Sequence, residues 1–105
     1  MGPEDRVAAA VVARNRSMRV TLKLFAMLSD HLPAAGAGGP RQGNEVVLEL
    51  PEGASAQGVI EQLRLPPRLV HLVLVNGVYI TPQARASHLL VDGDELAIWP
   101  PIAGG

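Results

Sequence analysis

The chain has 105 residues, a formal net charge of −1 and no cysteine, and 48% of its residues are hydrophobic. A chain of this length supports one hydrophobic core and therefore one domain. The absence of cysteine excludes disulfides, thiol nucleophiles and thiolate metal ligands. A nucleic-acid surface needs a basic stripe or several exposed rings, whereas this chain is nearly neutral and has three aromatic residues. We therefore expect a small domain that binds no nucleic acid.

The first 17 residues differ in pattern from the rest of the chain. Their apolar run, Val7–Ala13, is too short to cross a bilayer. Glu4 and Asp5 stand where a signal peptide carries basic residues. We predict that residues 1–17 form a flexible N-terminal extension, that residues 18–105 form the folded domain, and that the protein is cytoplasmic with no membrane partner.

Two segments alternate apolar and polar residues, which predicts strands with one buried face each. The segment between them, Pro33–Asn44, is rich in glycine and proline and has no periodicity, which predicts a flexible loop. We expect the two strands to pair in antiparallel orientation. Their apolar positions are Val20, Leu22 and Leu24 in the first strand and Val46, Leu48 and Leu50 in the second.

A helix is predicted after the second strand. Ser55 is a good N-cap, and the helix is expected to run to about Leu65, where Pro66 and Pro67 stop it. The apolar residues of this segment recur at helical spacing and form one stripe. They are Ala56, Val59, Ile60 and Leu63.

The rest of the chain predicts three more strands. His71–Val75 is almost continuously apolar, as expected of a strand that is covered on both faces or lies deep in the sheet. Asn76-Gly77 predicts a tight hairpin with Val78–Ile80 as its return strand, and Glu95–Trp99 follows a second turn as the last strand. This order predicts an α+β fold of the ubiquitin-like β-grasp type, a mixed four- to five-stranded sheet with one main helix packed on one face.

Side chains that carry chemistry do not form a recognisable active site. His31, His71 and His88 lack the spacing of a metal site, so we expect no bound metal. No G-x-S-x-G motif is present, and the two acids of Asp92–Asp94 fit the turn that they occupy. We expect a protein that is not an enzyme by itself.

The end of the chain is its most distinctive feature. Gly104 and Gly105 follow the rigid pair Pro100-Pro101. Glycine has no Cβ, so such a tail can enter a narrow channel and present its carboxylate to another enzyme, while the prolines keep its base extended and unpaired. The alternative is a tail that merely frays.

The segment Asp92–Gly105 (DGDELAIWPPIAGG) closely resembles the C-terminus of MoaD/ThiS-family sulfur carriers. Three shorter stretches agree with the same family: LFAML at 24–28, PEGAS at 51–55 and VNG at 75–77. The resemblance extends from Met18 to Gly105, and its specific part is the D-G-D…P-P-x-x-G-G ending. It implies the ubiquitin-like β-grasp fold.

The resemblance also implies a chemistry. A MoeB/ThiF-like adenylating enzyme would use ATP to activate the Gly105 carboxylate, and a sulfur donor would convert it to a thiocarboxylate. Pro100, Pro101, Ile102, Ala103 and Gly104 would form the tail that enters the partner. The acceptor would be an enzyme such as a molybdopterin synthase large subunit or thiazole synthase. The chain itself would bind no cofactor and would act as a carrier or as the small subunit of such a complex.

Two other functions remain open, and all three need a docking surface. The same terminus would suit a ubiquitin-like modifier conjugated through Gly105, and a β-grasp interaction domain with an incidental Gly-Gly ending is the third possibility. We expect the sheet face away from the helix to be partly apolar and to dock the partner. Phe25 and Tyr79 are the candidate residues on that face.

Overall fold

The computed structural model describes residues 17–101, which form a mixed sheet, a small separate hairpin and one α-helix. No helix in this part of the chain is long and apolar enough to cross a membrane. The strands are β1 (Ser17–Leu24), β2 (Ala35–Gly36), β3 (Gly39–Pro40), β4 (Glu45–Pro51), β5 (Leu72–Val75), β6 (Val78–Tyr79) and β7 (Glu95–Trp99), and the helix is α1 (Ala56–Gln62).

The main sheet has five strands in the order β4-β1-β7-β5-β6. β1 and β7 are parallel and lie side by side, and the other neighbouring strands are antiparallel. The first and last main-sheet strands are therefore neighbours inside the sheet. This arrangement confirms the predicted α+β class, the mixed sheet and the antiparallel pair of β1 and β4.

One face of the sheet carries the hydrophobic core. The apolar positions of β1 and β4 point to this face, where Leu22 of β1 is flanked by Val46 of β4 and Leu96 of β7. The buried residues of α1, Ala56, Val59 and Ile60, belong to the same cluster. Each fully buried leucine or valine contributes about 1.5–3 kcal/mol, so this cluster is the main source of stability.

The helix starts where the sequence predicts and ends earlier. The Ser55 hydroxyl accepts the backbone N–H of Gly58 at 2.9 Å, as an N-cap does. Arg64 adopts a left-handed backbone with φ of 56°, and the Leu65 N–H reaches back to the carbonyl of Ile60. This Schellman-type ending stops α1 at Gln62, before the two prolines.

The segment Pro33–Asn44 contains regular structure, so its prediction as a flexible loop is wrong. β2 and β3 pair as a short hairpin, and the Ala37 N–H donates to the Val47 carbonyl of β4 at 2.8 Å. Gly36 lies so close to β4 that a Cβ there would collide with the same Val47 carbonyl. β4 is an edge strand of the main sheet, and the hairpin therefore covers part of the edge of β4 that does not pair with β1.

The ends of β1 and the position of β5 complete the sheet. β1 ends at Leu24 and is followed by a 3₁₀-helix at Ala26–His31. β5 lies inside the sheet between β7 and β6, as one of its two predicted placements requires, and its alternation of half-buried and buried residues shows that only one face is fully covered. At the other end, β1 begins at Ser17, which pairs with Pro51. The predicted extension otherwise lies outside the described residues.

Candidate functional site: the outer sheet face and the base of the tail

The C-terminal tail begins at the end of β7. Trp99 is the last residue of that strand, Pro100 is buried and Pro101 is exposed. The remaining tail residues that the sequence singles out, Ile102, Ala103, Gly104 and Gly105, lie outside the described residues. The tail therefore starts from one end of a strand that is held on both sides by neighbours.

The sheet face opposite α1, here called the outer face, is apolar where it approaches the tail. Cross-strand pairing brings Leu72 of β5 opposite Trp99 of β7, and Leu74 opposite both Ala97 of β7 and Tyr79 of β6. Side chains alternate along a strand, so these five residues share the outer face because Val73 and Ile98 point into the core. The predicted apolar face is present.

The two aromatic residues predicted for docking occupy different positions on this face. Phe25 is half-buried because its ring stacks on Trp99, with centroids 4.0 Å apart and planes within 7° of parallel. Tyr79 is 48% exposed on the short edge strand β6. Both residues lie on the expected face, but Tyr79 offers a free side chain, whereas Phe25 mainly supports Trp99.

The other half of the outer face is charged. Lys23 of β1 lies between Glu95 of β7, with Nζ to carboxylate oxygen 3.0 Å, and Glu45 of β4, at 3.9 Å. The hydrogen bond and charge of Glu95 raise the pKa of Lys23 above its ordinary value, and Glu45 adds a smaller effect of the same sign. Because its pKa is raised, the Lys23 ammonium is held in its protonated form. Lys23 is the only lysine of the sequence.

The D-G-D motif (Asp92–Asp94) and the N-G motif (Asn76-Gly77) form one structural clamp at the end of the sheet opposite the tail. Asp94 is buried, and its two carboxylate oxygens accept the Asn76 side-chain amide and the Val91 N–H, each at 2.8 Å. The side-chain oxygen of Asn76, Oδ1, in turn accepts the Glu95 N–H at 2.9 Å. Asp92 accepts the Arg19 N–H at 2.7 Å. These acids therefore hold turns together, as the sequence predicts.

The three histidines do not form a common metal site. Within residues 17–101, no group of three or more histidine, cysteine, aspartate or glutamate side chains is placed to hold a metal ion. His31 ends a 3₁₀-helix, His71 precedes β5, and His88 lies in the connection to β7. No cofactor site follows from their positions.

Trp99, Leu72 and Leu74 were not predicted as surface residues. The alternation within β5 and β7 could have suggested which residues share a face. What was missing was the pairing of β5 with β7, because these strands are separated by a turn, a short strand and a 3₁₀-helix. The Phe25–Trp99 stack depends on the same pairing.

Comparison with known proteins gives a consistent result. The model of the ThiS family matches residues 38–105, about two-thirds of the chain. No curated protein matches. A Pyrococcus furiosus protein described as putative molybdopterin converting factor, subunit 1, is similar in structure, with 25% identity, a TM-score of 0.56, and coverage of 81% of this chain and 99% of that one.

Two proteins of Haloferax volcanii are also similar in structure. Small archaeal modifier protein 1 is 25% identical, with a TM-score of 0.56 and coverage of 83% of this chain and 99% of that one. The HVO 2177 protein has a TM-score of 0.64, 23% identity, and coverage of 86% of this chain and 89% of that one. At that identity, the second likeness concerns the fold alone.

Proposed function

Since the chain belongs to the ThiS family of ubiquitin-like β-grasp sulfur carriers, we propose that Gly105 is adenylated and converted to a thiocarboxylate. The observation that carries this proposal is the family match, which runs through the P-P-x-x-G-G ending to residue 105. The thiocarboxylate would donate sulfur to cofactor biosynthesis in the cytoplasm. The pathway we propose first is molybdopterin or tungstopterin synthesis, because a relative is described as a molybdopterin converting factor subunit. Thiamine synthesis is the second proposed pathway.

The chemistry takes place on the main-chain terminus. A carboxylate oxygen of Gly105 attacks the α-phosphorus of ATP in the site of a MoeB/ThiF-like enzyme, and pyrophosphate leaves. Hydrosulfide supplied by a sulfide-level donor then attacks the activated carbonyl carbon; AMP leaves with the oxygen that joined it to the carbonyl, and the new thioacid loses its proton. One carboxylate oxygen is thereby replaced by sulfur. The chain supplies the carboxylate and the partner supplies ATP, so the chain acts as a co-substrate.

The outer face is the proposed docking surface for the adenylating enzyme and for the sulfur acceptor, a molybdopterin synthase large subunit or thiazole synthase. Its apolar residues lie beside the strand from which the tail leaves. Gly105 is four residues beyond the exposed Pro101, a span of at most about 13–14 Å when extended. A partner that covers Trp99 and Leu72 therefore has the terminus within reach of a nearby active site.

The terminus is tested with an ATP–pyrophosphate exchange assay that uses the cognate adenylating enzyme. Deleting Gly105, or adding one residue after it, shifts the carboxylate by about 3.3–3.6 Å, while reacting groups must align within about 3–3.5 Å. We expect exchange and sulfur loading to be lost and the melting temperature to stay unchanged. Full exchange by the Gly105 deletion would refute the carrier function and favour an interaction domain.

The docking surface has its own test. Tyr79→Ser should weaken binding of the adenylating enzyme, because it removes an exposed ring from the outer face. Val78→Ser is the matched control, since Val78 is 64% exposed on the same strand and points to the opposite side. Equal affinities of the two variants would exclude this surface. Phe25→Ser is less selective because it also unstacks Trp99.

A second candidate function is conjugation to other proteins through Gly105. The similarity to small archaeal modifier protein 1 favours it. Mass spectrometry of protein from its native host separates the two functions. A mass increase equal to the exchange of oxygen for sulfur indicates the thiocarboxylate, and an isopeptide remnant on a lysine of another protein indicates conjugation.

A further inference from the structure

A cleft lies beside α1, away from the outer face. It has a volume of about 200 Å³. Gln57, Ile60 and Glu61 of α1 form one wall, and Leu65, Pro67 and Val70 of the following connection form another. Arg85, which follows the 3₁₀-helix Pro82–Ala84, also lines the cleft.

Arg85 is a buried cation with incomplete hydrogen bonding. Arg85 is only 7% exposed. One of its terminal nitrogens, Nη2, donates to the His71 carbonyl at 3.1 Å. The Nε atom is buried and has no hydrogen-bond partner. Buried charges in proteins are ordinarily paired, because leaving water costs an unpaired ion far more than a paired one.

No carboxylate of the described chain supplies that pairing. Among residues 17–101, the ion pairs within 4.0 Å all involve Lys23. Glu61 lines the same cleft, but one of its carboxylate oxygens accepts the Gln57 side-chain amide at 3.2 Å and its side chain is exposed. The cleft therefore combines a buried guanidinium that lacks an anion with an exposed acid on its wall.

We propose that this cleft binds a carboxylate carried on a short aliphatic stem. The planar guanidinium matches the two oxygens of a carboxylate. Ile60, Leu65 and Val70 provide an apolar wall for the stem, and the volume suits a group far smaller than a drug-sized ligand. Glu61 disfavours a phosphate, whose second negative charge it repels. The exposed Glu61 side chain can rotate away to admit the ligand.

The site has a direct connection to the base of the tail. Arg85 holds the His71 carbonyl, and the His71 N–H donates to the Trp99 carbonyl at 3.0 Å. Trp99 immediately precedes the proline pair from which the tail leaves. A ligand that draws the guanidinium into the cleft therefore acts on a hydrogen-bonded chain that ends at Trp99, and its binding should shift the His71 and Trp99 amide signals.

The test is an NMR titration of the full ¹⁵N-labelled chain with sodium butyrate at constant ionic strength. Butyrate should shift the Arg85 Nε–Hε signal with a dissociation constant below about 10 mM. Arg85→Lys should weaken binding at least about fivefold, because lysine lacks the planar fork. Glu61→Gln should tighten it about two- to fivefold by removing a like charge. Arg19→Gln, at an exposed arginine of β1, should leave it unchanged.

Each contrary result has a defined meaning. No shift of the Arg85 signal up to 50 mM butyrate, about five times the expected limit, overturns the site. Equal binding of inorganic phosphate, or weaker butyrate binding by Glu61→Gln, overturns the assignment of a carboxylate with a stem. The unmodified chain gives the first readout, so the proposal stays testable if Arg85→Lys fails to fold.

A second titration identifies the source of the carboxylate. N-acetylglutamic acid α-amide presents a glutamate side chain as a protein does, and N-acetylglutamine amide is its neutral control. If the glutamate compound binds at least about fivefold more tightly than butyrate, the natural ligand is an acidic side chain of a partner. If it binds equally or more weakly, the ligand is a free short-chain acid. Binding of the neutral control as tightly as the glutamate compound would overturn the role of the charge.

Discussion

Removing the Asp94 carboxylate should destabilise the fold more than removing any exposed acid. In Asp94→Ala, the Asn76 amide and the Val91 N–H each lose an acceptor at 2.8 Å. Hydrogen bonds to charged groups contribute about 1.5–3 kcal/mol each. Both donors lie in partly exposed residues and can regain some hydration, so we expect a total loss of about 2–3 kcal/mol in the free energy of unfolding.

The assay is urea unfolding, with the melting temperature as a second measurement. For a domain of this size, 1 kcal/mol corresponds to about 4–8 °C, so Asp94→Ala should lower the melting temperature by roughly 10–20 °C. Asp30→Ala is the control, because Asp30 is exposed, and it should stay within about 0.5 kcal/mol of the unmodified chain. An equal effect of the two substitutions would refute the clamp.

A double-mutant cycle isolates the contact between Asp94 and Asn76. Asn76→Gly is the suitable partner substitution, because Asn76 has φ of 52°, a value that glycine adopts without strain. The two substitutions together should cost at least about 0.5 kcal/mol less than the sum of their separate effects. Simple additivity would show that the two side chains act independently.

Three further predictions concern other parts of the fold. Gly36→Ala should cost about 1–3 kcal/mol in urea unfolding, because its Cβ meets the Val47 carbonyl; an unchanged midpoint would contradict the close packing. A chain starting at Met18 should keep its melting temperature and its thiocarboxylate formation, and a large drop would show that the extension packs on the core. The pKa of Lys23 is raised on folding, so its stabilising effect is present below pH 10.5 and is lost as the pH rises through the folded-state pKa. The difference in unfolding free energy between the unmodified chain and Lys23→Gln should therefore be smaller at about pH 11.5 than at about pH 8; an equal difference would contradict the ion pair.

Much of the fold can be predicted because its signals are local. Alternating apolar residues mark β1 and β4, Asn76-Gly77 marks the β5–β6 hairpin, and the Ser55 hydroxyl marks the start of α1. Each signal involves residues a few positions apart, so no knowledge of distant contacts is needed. The element order then leads to the β-grasp.

The parts that sequence reasoning missed depend on unusual backbone or on distant pairing. Arg64 has the left-handed backbone that ends α1, a position usually occupied by glycine. Because no glycine stands there, the sequence does not indicate that the helix ends early. The β2–β3 hairpin has two-residue strands and gains its order from β4, so it shows no periodicity of its own. The sequence proposes Phe25 and Tyr79 as docking candidates, but it does not show that Phe25 is stacked on Trp99 or that Tyr79 is exposed on the edge strand β6.

The parallel pairing of β1 with β7 has a mechanical consequence. Force applied to the chain before β1 and after β7 pulls the two strands in opposite directions along their length. The hydrogen bonds between Thr21–Leu24 and Glu95–Ile98 then bear the load together, in shear, because none of them can open before its neighbours. In the antiparallel pair of β5 and β6, force on the two open ends of the hairpin would break the bonds one after another. A partner that pulls on the tail therefore loads the most resistant direction of this sheet.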